Sequence, residues 1–163
     1  MWFLTGNLTA LYLLLEFAGM RFNVTNSYPK GLYVAESGAF GVGDLVEACV
    51  PAAAAELAWE RRYLGRGGPC DGVNTVLKRI AAVAGDTVAI TDRVVVNGEV
   101  IENAPILRED AAGRALEPAA GGVVGANHVW LLSTHVTESF DSRYFGEVPT
   151  SAVIRRMQPL WTF

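Results

Sequence analysis

The chain has 163 residues, enough for one domain with its own hydrophobic core and too few for a second complete one. Its net charge of -4 and isoelectric point of about 5.2, with Lys and Arg scattered apart from Arg61-Arg62, Lys78-Arg79 and Arg155-Arg156, give no electrostatic footprint for nucleic acid. Nucleic acid is therefore not an expected partner.

Residues 2–20, WFLTGNLTALYLLLEFAGM, are mostly apolar and about long enough to cross a hydrocarbon core as a helix before Arg21. Residues 1–21 thus read as an N-terminal apolar helix, a membrane anchor or export signal, ahead of a folded domain over 22–163. Glu16 and the missing basic leader count against a normal anchor and leave a helix packed on the domain as the alternative, with the anchor or export signal the preferred reading.

After residue 21 the pattern changes to short β-like pieces. Residues 31–34 read as a strand after the turn at Pro29, and 45–50 as another after Gly43-Asp44. The Ala- and Glu-rich stretch 52–64 is the one clear helix. A Gly/Pro-rich loop follows over 65–71, then strands over 75–83 and 87–90. Asn97-Gly98 between Val94-Val95-Val96 and Val100-Ile101 is a strong hairpin signal, since both residues accept positive φ in a type I′ turn. Residues 103–127 read as an irregular excursion, and 128–133 and 151–157 as the last strands.

Cys49 and Cys70 are the only cysteines and bracket the helix. A bridge would close the helical insertion onto the preceding strand, is worth about 3 kcal/mol in the chain-entropy account, and would persist in an exported location. Two free buried thiols are the alternative. Two cysteines without further ligands argue against structural zinc, and no metal or other cofactor is expected. His128 and His135 are the only histidines; a relay of His135 with Asp141 is conceivable on composition, but neither histidine sits in a recognisable motif.

Three separated segments carry a more specific signal: NVTNSYPKGLY at 23–33, VLKRIAAVAGDTV at 76–88 and SFDSRYFG at 139–146. In this order they resemble the bacterial type I signal peptidases, most closely the TraF-like conjugative-transfer peptidases. Gly43-Asp44, the Cys49/Cys70 pair and the Asn97-Gly98 turn extend the match, which is weakest over 103–127. The resemblance implies a mainly β, signal-peptidase-like (LexA-like) fold with a small central helix, and a peptidase domain over 22–163.

The same resemblance implies Ser27 as nucleophile, its backbone N–H and Thr25 supporting the oxyanion, with adjacent Asn26 competing for the Thr25 role, and Lys78 as general base. A serine hydroxyl needs a base, and an ammonium cannot accept its proton; apolar Val76 and Ile80 on the face of Lys78 would lower its pKa. Ser139 would orient the Lys78 amine, with Asp141 and Arg143 as a buried polar network beneath it. Read without the family, Asp141 and Arg143 are an exposed ion pair in a turn, worth little. Ser133-Thr-His-Val-Thr137 replaces the family's usual glycine-containing stretch, leaving the floor of the site unspecified.

The implied substrate is an extended precursor polypeptide with small residues at the cleavage site, adding beside strand 31–34 and the Lys78 strand as edges. The implied setting is the inner membrane, with the catalytic domain on its periplasmic side and pilus or mating-pair assembly proteins as partners. The acyl group would pass to water or, giving a circular product, to a peptide amine. Tyr28 where methionine is usual favours a specialised processor over a general signal peptidase. Two other classes compete: a self-cleaving regulator, disfavoured because residues 1–22 are too short for a DNA-binding domain, and a catalytically inactive envelope assembly module.

Overall fold

The structure, a computed structural model, describes residues 19–163. The apolar helix expected over 1–21 falls outside them except at its end, where it needs correction: Met20 and Arg21 belong to a strand, β1 (Met20–Asn23). No helix among the described residues is long and apolar enough to cross a membrane.

Two antiparallel sheets form the domain. β2 (Gly31–Glu36), β3 (Leu45–Ala48), β5 (Val76–Val83), β10 (His128–Leu132), β11 (Val148–Pro149) and β12 (Val153–Thr162) join β1 in a seven-stranded sheet ordered β1-β2-β12-β3-β5-β10-β11. β6 (Thr87–Ile90), β7 (Arg93–Val96), β8 (Glu99–Pro105) and β9 (Gly122–Val123) form a smaller sheet ordered β8-β7-β6-β9. The turn between β7 and β8 has Asn97 at φ 52° and Gly98 at φ 86°, as a type I′ hairpin requires.

β12 lies between β2 and β3, with Thr162 opposite Gly31 and Arg156 opposite Val46. The approach is close enough that a Cβ at Gly31 would lie 2.1 Å from the Trp161 carbonyl oxygen, and Gly31 sits at φ 149°. Only glycine fits there. The Phe163 N–H then donates to the Lys30 carbonyl at 3.0 Å, fastening the end of the chain to the β1–β2 turn.

Val46, Ile80, Val129 and Leu131 are the centre of one core cluster, while Val88, Val94, Trp130 and Leu132 build another under the small sheet. Successive residues of β10 thus serve opposite sides, as strand alternation dictates.

The insertion between β3 and β5 departs from expectation. The helix α1 (Ala52–Glu60) stops short of residue 64, because Arg62 turns left-handed at φ 59°. The expected loop over 65–71 instead contains β4 (Arg66–Cys70), which folds back through Asp71 and Gly72, both at positive φ, to bridge Val73. A disulfide between Cys49 and Cys70, with Cα atoms 5.1 Å apart, joins this hairpin to the end of β3.

Candidate active site

Residues 24–30 form the turn between β1 and β2, and Asn23, almost fully buried, organises it. Its Nδ2 donates to the carbonyls of Thr25, Tyr28 and Pro29, and its Oδ1 accepts from the N–H and hydroxyl of Thr25. Tyr33 donates its hydroxyl to the Pro29 carbonyl at 2.6 Å; burial pushes that phenol up to about 12. These bonds hold half-buried Ser27 at the rim of a cleft. Its Oγ lies 3.1 Å from Thr25 Oγ1. Because the Thr25 proton is already given to Asn23, Ser27 is the donor of this pair.

The cleft is about 320 Å³ and is lined by Thr25, Ser27, Lys78, Ser139, Tyr63 and Leu64 among others. Lys78, on β5, has 3 % of its surface exposed. Burial lowers its pKa to about 8; the charge of Asp141 opposes this shift, and those of Arg143 and Arg21 add to it. No hydrogen bond or ion pair holds its amine among the described residues, including with Ser27. Ser139 Oγ, also buried in this cleft, has no hydrogen-bond partner among the described residues.

Behind the cleft, Asp141 precedes a short helix, α2 (Ser142–Phe145), and caps it by accepting from the Arg143 N–H. The ion pair is not the surface pair that its spacing suggests: both side chains are 0 % exposed. Arg143 Nε and Nη2 donate to the two Asp141 oxygens at 2.8 and 2.9 Å, and its remaining N–H groups reach the carbonyls of Pro105, Thr137 and Ser139. Asp141 Oδ2 also accepts from the Ser133 N–H at 3.0 Å. The Ser133 hydroxyl then donates to the Ser27 carbonyl, so the buried pair reaches the Ser27 turn through one residue. Asp141 is therefore committed to Arg143 and Ser133 and has no bond to His135, whose ring lies 6.3 Å from that of Tyr28.

A second network supports the opposite wall. Glu47, on β3, accepts from Arg21 at 2.7 Å, Thr75 at 2.6 Å and Arg155 at 2.6 Å. Burial works to raise its carboxyl, but Arg21, Thr75 and Arg155 together hold it below its ordinary value.

The sheet order corrects the expected substrate edges. β2 is paired on both sides, by β1 and β12, and offers no edge. β1 is the edge instead among the described residues, and its residues line a groove of about 470 Å³ that shares Arg21, Thr25, Tyr63, Leu64 and Thr75 with the cleft. β5 is interior, between β3 and β10, but β10 covers only its later part, from Arg79 onward. Ile80 spends both main-chain groups on Gly43 and Asp44, on the β3 side. Alternation then points those of Leu77 the other way, into the cleft, where no strand among the described residues meets them.

A family model described as signal peptidase, peptidase S26, matches residues 5–161. The chain belongs to that peptidase family. Within it, the chain is 40 % identical over 149 residues to the conjugal transfer protein TraF of Agrobacterium tumefaciens, covering 89 % of this chain and 84 % of that protein. It is 36 % identical over 151 residues to a plasmid transfer protein TraF of Escherichia coli, covering 90 % and 85 %. A crystal structure of signal peptidase I from Enterococcus faecalis matches with a TM-score of 0.45 at 19 % identity, over 74 % of this chain and 98 % of that one. Family membership rests on the sequence matches.

In this signal-peptidase relative, the fold gathers Thr25, Ser27, Lys78 and Ser139 at one cleft and Asp141 and Arg143 behind it. Sequence reasoning missed Asn23, Ser133 and the Glu47 network. Asn23 left a signal, being an Asx residue at the start of a turn. Ser133 left none, because its partners, 8 and 106 residues away, are set by the tertiary fold.

Proposed function

We propose that the protein is a serine endopeptidase that processes an exported precursor polypeptide, with Ser27 as nucleophile and Lys78 as general base. The names of its relatives, conjugal and plasmid transfer proteins, support a setting in conjugative transfer; the substrate we propose in that setting is a pilin precursor. One observation carries this reading: a lysine 3 % exposed, brought by burial to a pKa of about 8, opens on the same cleft as Ser27.

The precursor lies extended between the free edge of β1 and the open main chain of Leu77, with small side chains against the cleft walls. Neutral Lys78 Nζ takes the Ser27 proton as Oγ bonds to the scissile carbonyl carbon. The Ser27 N–H and the Thr25 hydroxyl, once turned from Asn23, receive the oxyanion. Lys78 passes its proton to the leaving amine nitrogen, the C–N bond breaks, and the acyl group stays on Ser27. Water or an amine then attacks, and the proton returns through Lys78 to Oγ. Ser139 Oγ accepts a hydrogen bond from the Lys78 amine during these transfers, and Asp141 with Arg143 holds the floor. The apolar stretch of the sequence ahead of β1 anchors the domain on the periplasmic side of the inner membrane.

A second reading, an inactive assembly module, draws on the Ser27 hydroxyl being bonded to Thr25 rather than Lys78. Precursor cleavage by membranes carrying Ser27→Ala or Lys78→Ala separates the two. The peptidase reading expects a loss of about a thousandfold in each; equal processing by both variants and the parent would falsify it.

A further inference from the structure

Two residues hold the main chain around Ser27, and they come from different parts of the fold. Asn23 takes the carbonyls of Thr25, Tyr28 and Pro29, all within its own turn. The Ser27 carbonyl lies among these in sequence but is held by Ser133, 106 residues away. Ser133 directly follows β10. Its neighbour Leu132 is opposite Arg79 on β5, and one step further along the two strands stand Ser133 and Lys78. The bond to the Ser27 carbonyl therefore ties the nucleophile's turn to the end of the strand that runs beside the proposed base. Every contact of Ser133 fixes the direction of its hydroxyl. Its N–H donates to Asp141 Oδ2 at 3.0 Å and its Oγ accepts from the His135 N–H at 3.3 Å, so its one hydroxyl proton goes to Ser27. At 1 % exposure the side chain is out of reach of a substrate.

We infer that Ser133 is a positioning residue for acylation, its hydroxyl holding the Ser27 backbone so that Oγ reaches the base by rotation about Cα–Cβ alone. The inference rests on the Ser27 and Lys78 reading proposed above. Ser27 Oγ stands 3.1 Å from Thr25 Oγ1 in this structure. With the carbonyls of Thr25, Ser27, Tyr28 and Pro29 all held, the side-chain torsion is the freedom left for its move from Thr25 toward Lys78. Without the Ser133 hydroxyl, the peptide group between Ser27 and Tyr28 is free to turn and Oγ spreads over positions that miss the scissile carbon. A misplacement of about 1 Å costs on the order of a hundredfold in rate. The precursor contacts proposed along β1 and Leu77 lie elsewhere, so the loss falls on kcat rather than KM.

Full-length protein in detergent micelles tests this beside Ser133→Ala, which lacks the donor, and Ser133→Thr, which keeps it. Cleavage of a fluorogenic precursor peptide is scaled to the folded fraction found by urea unfolding. The dipeptide Ser-Tyr occurs once in the chain, at 27–28. Protein isotope-labelled at serine carbonyl carbons and tyrosine nitrogens therefore gives one NMR cross-peak, which reports the hydrogen bond to the Ser27 carbonyl. Ser133→Ala is expected to lower kcat about thirtyfold, to leave KM within about twofold, and to move the cross-peak upfield. Ser133→Thr should bring kcat back to within about threefold of the parent and return the peak. The pH of half-maximal kcat/KM should stay at the parent's value in both, whereas a collapsed floor would wet Lys78 and carry that pH upward. An unmoved peak, a kcat for Ser133→Ala within about threefold of the parent, an equal loss in both variants or a raised pH profile overturns the inference and leaves the Ser27 reading intact. Cleavage by Ser27→Ala equal to the parent's removes both.

Discussion

Arg143 and Lys78 lie behind and within one cleft, both nearly or wholly removed from water, yet their surroundings differ in kind. Every guanidinium N–H of Arg143 meets an oxygen of Asp141, Pro105, Thr137 or Ser139. The Lys78 amine has no such partner among the described residues, and its pKa falls to about 8. Burial with a full set of partners preserves a charge, whereas burial without them favours the neutral form. The first arrangement suits a rigid floor, and the second suits the base proposed for Lys78.

Four experiments test this contrast, beginning with the greatest expected change. Arg143→Met leaves Asp141 buried and uncompensated, and urea unfolding is expected to show a loss of about 3–5 kcal/mol; a loss below about 1 kcal/mol would mean the pair is dispensable. Lys78→Met should act in the opposite direction, raising stability at pH 7 by about 3 kcal/mol while removing cleavage. The sign follows from a folded pKa of about 8 below the ordinary 10.5. Between these values the unfolded chain binds more protons, so parent stability rises with pH through that window and the cost of Lys78 is fully present below it. The gain in Lys78→Met should therefore shrink at pH 10.

The same value fixes the third outcome: kcat/KM should rise about tenfold per pH unit below pH 7 and level off above about 8. A profile flat from pH 6 to 9 would remove Lys78 as the titrating base. The smallest change is expected from Arg21→Met. Its ion pair with Glu47 is partly exposed and Thr75 and Arg155 remain, so calorimetry should show a loss of about 1 kcal/mol or less.

Local chemistry made much of the fold legible in advance. Asn97-Gly98 announces its hairpin because positive φ is a property of those two residues, and the Lys78 strand announces itself by its run of β-formers. Features decided by distant parts of the chain were not legible. Asp141 and Arg143, two residues apart, look like an exposed pair until carbonyls from Pro105 and Thr137 close around them. The hairpin at Asp71-Gly72 was hidden because a Gly/Pro-rich run fits a loop as well as a strand. Pairing on both sides of β2 depends on β12, over a hundred residues later in the sequence, so the substrate edge could not be assigned from residues 31–34.

β12 also imposes an order in time. Within the large sheet, β1 and β2, which hold the Ser27 turn, meet β3 and β5, which hold Lys78, only through this final strand. A ribosome delivers it last. Until then the two halves of the cleft belong to separate pieces of sheet, and a chain truncated before Val153 lacks the strand that joins them. Main-chain pairing between the two walls of the cleft therefore waits for β12, and before it only side chains, such as Arg21 on Glu47 and Thr75, reach across.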